Sequence, residues 1–204
     1  MDRKSEELRG AVPLSHFFLR YRLKPGDRAV DATSGNGHDT LLLAELVGER
    51  GQVWGFDLQE EALERTRRML SEHGCQDRVA LHRLGHERML EVVDGPVQAV
   101  IFNLGYLPGG DAALVTTPAT TKAALDQARS LLAPGGLILV ALYTGHAGGK
   151  EEEAAVLEWG AGLSPREFHV WTSRQLNRPS SAPYLLLVEK GAKASGGSFC
   201  AGRQ

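Results

Sequence analysis

From residue 28 to residue 190, short apolar runs rich in β-branched residues alternate with stretches whose apolar positions recur at helical spacing. That alternation is the pattern of βα units wrapped around a largely parallel sheet. The spacing predicts strands over 28–32, 52–57, 79–84, 97–103, 136–144, 167–173 and 184–189. Between them it predicts helices over 38–47, 60–73, 87–92, 118–132 and 150–160, with a further helix over 13–22 ahead of the first strand. Runs such as Ala99-Val100-Ile101-Phe102 and Leu137-Ile138-Leu139-Val140 are apolar throughout, as strands covered on both faces require. Thr117-Pro118 reads as a capping hydroxyl followed by proline at the first helical position, and Pro134-Gly135-Gly136 as the stop of that helix before the next strand. No helical pattern separates residues 173 and 184, so the last two strands are expected to form an antiparallel hairpin. The expected architecture is α/β and Rossmann-like: a seven-stranded, mostly parallel sheet with a C-terminal antiparallel hairpin and helices on both faces.

Composition narrows this picture. At 204 residues with 42% hydrophobic content the chain can bury one ordinary core, so one domain over 1–190 is expected. Beyond Lys190 the sequence turns small and polar without periodicity, which predicts a disordered tail over 191–204. No apolar run approaches the ~20 residues of a membrane span, and the first residues lack the apolar core of a signal peptide. Cys75 and Cys200 lie far apart without metal-ligand spacing, so neither a disulfide framework nor a metal site is expected. These features fit the cytoplasm. A formal net charge of -2 excludes a protein that is basic all over, yet a local basic face would suffice for nucleic acid.

The most informative stretch is Asp31 to Thr40, which leaves a predicted strand and opens a helix. Gly35 and Gly37 let the backbone turn sharply and approach a ligand, since no Cβ obstructs it. Thr33, Asn36, His38, Asp39 and Thr40 flank them as further candidate contacts. Asp57 ends the next strand, where a carboxylate can accept hydrogen bonds from ribose hydroxyls, and Gln59 can add a donor on the same edge. Two cofactor classes compete here. A dinucleotide fingerprint would require Gly or Ala at position 40, where Thr40 stands. Asp31 would also set an anion beside two phosphates, whereas it suits the ammonium of a methionine moiety. The order therefore favours S-adenosylmethionine (SAM). His86, after the third strand, either meets an adenine or caps a short helix at the surface.

Open α/β sheets bind ligands beyond the carboxyl ends of their strands, which puts the loop from Asn103 to Asp111 at the reacting group. Leu104 and Gly105 would lie beside the cofactor together with Asn103. If the nucleophile is an amine, the Asn103 side-chain carbonyl or a backbone carbonyl can accept one hydrogen and aim the lone pair. Tyr106 can stack on a planar substrate, with Pro108 beside it, or the segment is an ordinary polar turn. After the fifth strand, Tyr143 and His146 can reach the substrate side. His146 is a candidate proton acceptor or an incidental residue before a helix. Ser15 and His16 on the first helix are weaker candidates for the pocket wall. Arg174 and Arg178 in the closing connection, with Lys150, are the candidates for contacting phosphates, while Arg20, Arg22 and Lys24 read as a solvated face.

Taken together, residues 31–40 (DATSGNGHDT), 55–59 (GFDLQ), 102–111 (FNLGYLPGGD), Thr120-Thr121, 143–153 (YTGHAGGKEEE) and 177–190 (NRPSSAPYLLLVEK) resemble the YtqB-like rRNA methylase family of class I SAM-dependent methyltransferases. The resemblance spans roughly residues 10–190. It implies that Asp31, Asn36, Gly37, Asp39, Asp57, Gln59 and His86 bind cofactor and that 103–111 forms the reaction site. Members of this family act as tRNA 5-aminomethyl-2-thiouridine methyltransferases (MnmM), so the implied reaction methylates the exocyclic amine of that base at the wobble position. The implied partner is the tRNA anticodon stem-loop, with no membrane involved, and a homodimer is compatible with the small size. The competing expectations are a methyltransferase of rRNA or of a small amine, and a dinucleotide-dependent oxidoreductase. The last lacks the Tyr-x-x-x-Lys pair of many hydride-transfer enzymes.

Overall fold

A computed structural model describes residues 7–105, 116–145 and 147–192. Seven strands form one sheet: β1 (Arg28–Asp31), β2 (Gln52–Asp57), β3 (Val79–Arg83), β4 (Val97–Asn103), β5 (Leu132–Leu142), β6 (Phe168–Ser173) and β7 (Tyr184–Lys190). Their order across the sheet is β3-β2-β1-β4-β5-β7-β6. From β3 to β5 every neighbouring pair is parallel. The closing strand β7 slots antiparallel between β5 and β6, so the predicted hairpin forms with its second strand on the inside. The reversal of strand order falls at β1 and β4, and a ligand site is expected beyond their carboxyl ends.

Helices α1 (Ala11–Arg22), α2 (His38–Val47) and α3 (Glu60–Glu72) cover one face, and α4 (Pro118–Leu131) and α5 (Gly149–Ala161) the other. Alternate strand residues feed the two cores. Ala29, Ile101, Leu139 and Leu185 meet Leu19 of α1 and Leu43 of α2, while Val30, Phe102, Val140 and Leu186 meet Leu125 of α4 and Trp159 of α5. Double coverage explains the unbroken apolar runs Ala99–Phe102 of β4 and Leu137–Leu142 of β5. Each fully buried Leu, Ile or Phe contributes about 1.5–3 kcal/mol, so Phe102→Ala alone would cost about 3–5 kcal/mol.

Local signals set the helix ends. In α3, Ala62, Leu63, Thr66 and Leu70 are buried along one stripe, and Glu60 and Glu61 occupy the first turn, where the helix dipole favours acid. In α4 the predicted cap is a complete capping box: Thr120 N–H donates to Thr117 Oγ1 at 3.3 Å, and Thr117 N–H donates to Thr120 Oγ1 at 3.2 Å.

Two expectations are corrected. The segment expected as an α-helix over 87–92 is a 3-10 helix, His86–Glu91, interrupted at Arg88. Arg88, with φ -117° and ψ 18°, breaks the helical backbone and divides the segment into two short turns. Pro134-Gly135-Gly136 does not stop α4, which already ends at Leu131. It makes an irregularity within β5, where pairing jumps from Val97–Leu132 to Ala99–Leu137 and Gly135 takes φ +73°. Of the expected tail, Gly191 is still tied to the sheet through its N–H to the Glu167 carbonyl at 2.7 Å. Residues 193–204 lie outside the described residues. Among the described residues no helix is long and apolar enough to cross a membrane.

Candidate active site

Beyond the carboxyl ends of β1, β2 and β4 opens a cavity of about 430 Å³. Its floor is the loop that follows β1. Ser34 N–H donates to the Phe56 carbonyl at 2.8 Å and Gly37 N–H to the Ser34 carbonyl at 2.8 Å, which curls the chain before α2. Gly37 takes φ +85°, and a Cβ there would meet Thr66 Oγ1 at 2.8 Å. Only glycine satisfies both the turn and the close approach of α3.

Asp57 ends β2 at the rim of this loop. One carboxylate oxygen accepts the Gly35 N–H and the other the Gln59 N–H, both at 2.9 Å. The carboxylate is thus fixed by two backbone donors and keeps lone pairs for a ligand. His86 lies across from it, buried, with Nδ1 3.2 Å from the Ala32 carbonyl and its ring edge-on to Phe102. A carbonyl only accepts, so Nδ1 carries the hydrogen and Nε2 is left as an acceptor. Burial pushes the His86 pKa down, outweighing the nearby carboxylates, which keeps the ring neutral. Of the two alternatives weighed for His86, the surface cap is excluded.

The end of β4 carries the most constrained side chain. Asn103 N–H donates to Thr33 Oγ1 at 2.7 Å, and its Nδ2 donates to the Asp39 carboxylate. Asp39 in turn lies 2.5 Å from His16 Nε2 of α1. The remaining polar atom, Asn103 Oδ1, is screened from solvent and has no hydrogen-bond partner among the described residues. A buried carbonyl left unpaired costs about 1–3 kcal/mol, so it marks a position where an external donor belongs. Tyr143, after β5, forms another wall. Burial raises its hydroxyl pKa and Asp39 adds to the effect, so it stays protonated.

Asp31 sits behind this surface. It is completely buried, accepting Thr40 Oγ1–H at 2.6 Å and Thr33 N–H at 3.1 Å. Burial first, and the Asp39 charge second, push its pKa up to about 7. Asp31 therefore shapes the loop from beneath through Thr33 and Thr40, and neither it nor Thr40 forms part of the cavity wall.

The structure brings together on that wall Thr33, Gly35, Asn36, His38, Asp39, Asp57, Gln59, His86, Asn103, Gly105 and Tyr143. Gly37 and Leu104 lie behind it, Leu104 being buried in the core with its N–H on the Ala141 carbonyl. Tyr106, Pro108 and His146 lie outside the described residues. The three basic candidates are not in this cavity. Lys150 is exposed on α5. Arg174 is engaged by the fold: it donates to Glu153 at 2.7 Å and stacks 3.5 Å over the Tyr184 ring, whose hydroxyl donates to the same carboxylate. Arg178 lines a neighbouring cleft with Arg9, and that cleft shares Val12 and Tyr143 with the cavity.

Sequence reasoning missed Glu152. It is buried and accepts the hydroxyls of Thr116 at 2.9 Å and Thr121 at 2.6 Å, while Thr116 Oγ1 also accepts the Gly105 N–H. This network closes the base of the segment between Gly105 and Thr116. Within Lys150-Glu151-Glu152-Glu153 nothing local distinguishes one glutamate, since the run reads as a solvated helix start.

The donor set suits an amphipathic cation. Carboxylates at 39 and 57 share the cavity wall with apolar Phe56, Leu58 and Leu84, which matches a nucleoside carrying positive charge better than a pyrophosphate. Comparison with known proteins agrees. The model of the family described as "Putative rRNA methylase" matches residues 53–189. The chloroplastic tRNA (mnm(5)s(2)U34)-methyltransferase of Arabidopsis thaliana is 38% identical over 190 residues, covering 88% of this chain and 69% of the relative. The crystal structure of a "putative rRNA-methylase" from Clostridium thermocellum superposes with TM-score 0.87 at 43% identity, covering 91% of this chain and 100% of that one. A methyltransferase from Streptococcus mutans, solved in complex with SAH, gives 0.81 at 36% identity over 90% and 99% of the two chains.

Proposed function

This chain belongs to the rRNA methylase family of SAM-dependent methyltransferases, and we propose that it methylates the exocyclic amine of 5-aminomethyl-2-thiouridine at the wobble position of tRNA. Support for the substrate comes from the Arabidopsis relative, whose name carries mnm(5)s(2)U34, the N-methylated product of that reaction. Support for amine chemistry comes from the orphaned Asn103 carbonyl at the end of β4.

SAM, when bound, would supply a methyl group on a sulfonium: the neutral amine would form the N–C bond in line as the S–C bond breaks, the bonding pair leaving with sulfur as a thioether and the new ammonium keeping its proton until solvent takes it. Asp57 and Gln59 are the residues to receive the ribose, and His86 Nε2 the adenine edge. The loop from Thr33 to Asp39 encloses the methionine end. Asn103 Oδ1 accepts one amine hydrogen and directs the nitrogen lone pair at the methyl, an orientation effect that acts on turnover. The anticodon loop reaches this cavity over the Tyr143 rim, where Arg178 in the adjoining cleft is placed to meet a phosphate.

The test is mass spectrometry of nucleosides from undermethylated tRNA incubated with SAM and the purified protein. The expected product is the N-methylated wobble nucleoside. Asn103→Ala should lower kcat by more than about tenfold while SAM affinity changes by less than about twofold. Methylation of rRNA or of a free amine, with none on this tRNA, would overturn the assignment.

A further inference from the structure

We infer that His16, on the helix preceding the sheet, is a positioning residue for methyl transfer: through Asp39 it fixes which end of the Asn103 amide faces the substrate. The inference rests on the amine reading above. It starts from three side chains on three elements, with His16 Nε2 2.5 Å from Asp39 Oδ1, and Asp39 Oδ2 accepting from Asn103 Nδ2.

An asparagine amide has one end that donates and one that accepts. Rotation by half a turn about its terminal torsion exchanges them at little intrinsic cost. With the NH2 end toward the cavity, Asn103 would confront an amine with donors and hold nothing. An ionised carboxylate only accepts, so Asp39 permits one orientation, NH2 toward Asp39 and Oδ1 away from it. The thread from Asp39 to reactivity is therefore the polarity of a neighbouring group, without contact to the methyl carbon.

Asp39 needs a holder of its own. It stands in the first turn of α2, and its side chain is only 10% exposed. A carboxylate so enclosed requires donors on both oxygens. Asn103 satisfies one oxygen and His16 the other. Asp31, its neighbour by charge, is engaged with Thr33 and Thr40. Without His16 one carboxylate oxygen loses its donor, and the group can swing away from Asn103, releasing the amide. Helix α1 is packed on the sheet through Leu19 and Leu23, which gives the imidazole a rigid base.

The test compares His16→Leu with His16→Gln in the full chain. Glutamine carries an N–H at the reach of Nε2 but no basic ring nitrogen. We expect His16→Leu to lower kcat on undermethylated tRNA by about tenfold or more, with SAM affinity and tRNA KM within about threefold, and His16→Gln to restore kcat to within about threefold. The Asn103 side-chain amide protons, followed by NMR in asparagine-labelled protein, should shift in His16→Leu and return in His16→Gln. Should His16→Leu not fold, His16→Ala takes its place. Three results would overturn the inference: parental kcat in His16→Leu, a His16→Gln protein as slow as His16→Leu, or a loss of SAM affinity that accounts for the loss of rate. Failure of the amine reading shows separately, as absence of tRNA methylation by the parent protein, and the NMR comparison still decides whether the clamp exists.

Discussion

Asp31→Asn should abolish a pH dependence of stability that the parent protein carries. In the folded chain burial and the Asp39 charge raise the Asp31 pKa from 3.8 to about 7. Between those values the folded protein keeps the proton and the unfolded chain has released it. Asp31 therefore contributes stability that is fully present below pH 3.8 and is lost as pH rises toward about 7. At 1.36 kcal/mol per pH unit the whole change is about 4 kcal/mol. His86 acts in the opposite sense. Its lowered pKa means that the unfolded chain gains a proton first as pH falls, which removes stability on the acid side. Subtracting the variant from the parent cancels His86 and leaves Asp31. Urea unfolding of both proteins between about pH 4.5 and pH 8 measures this difference. Parent minus variant should fall by about 1.4 kcal/mol per pH unit and level off above about pH 7. A difference flat to within about 0.5 kcal/mol across that range would refute the reasoning, and with it the claim that this carboxyl is buried without compensating charge.

Further outcomes follow from the same geometry. Asp57→Ala should weaken SAM binding by about 1–3 kcal/mol in calorimetry, because a charge-assisted acceptor and the clamp on Gly35 and Gln59 are both lost; an unchanged Kd in a folded variant contradicts this. Glu152→Ala strips the buried Thr121 hydroxyl and the half-buried Thr116 hydroxyl of their acceptor and should cost about 2–4 kcal/mol in unfolding experiments, with slower tRNA turnover; a loss under about 0.5 kcal/mol would show that the network is incidental. Arg178→Ala should raise the tRNA KM and reduce the slope of log KM against log salt by about one, leaving SAM affinity intact; an unchanged slope removes Arg178 from the RNA path. Arg174→Ala, by contrast, should change stability by at most about 1 kcal/mol through loss of the Glu153 pair, read as a small drop in Tm.

The pattern of the chain determined its architecture because the signals involved are local. Apolar runs doubly covered by helices, the Thr117-Pro118 cap and the glycine turn before α2 each act within a few residues, and α2, β2 and β4 begin and end where their periodicity does. Asp57 was legible for the same reason, since a carboxylate at the end of the second strand faces the loop after the first whatever the rest of the chain does. Only the tertiary structure decided which charges serve the cavity. Asp31 and Asp39 stand eight positions apart, on either side of the loop between β1 and α2, yet the first is sealed beneath Thr33 and Thr40 while the second faces the site. Arg174 reads as a free cation until Glu153 and Tyr184 claim it, and Glu152 as one of several solvated glutamates until Thr116 and Thr121 reach it. The His16–Asp39–Asn103 link joins residues 23 and 64 positions apart. Spacing along a chain fixes the direction of a side chain within its own element, but a partner that far away is set by how helices pack on the sheet, which no local pattern encodes.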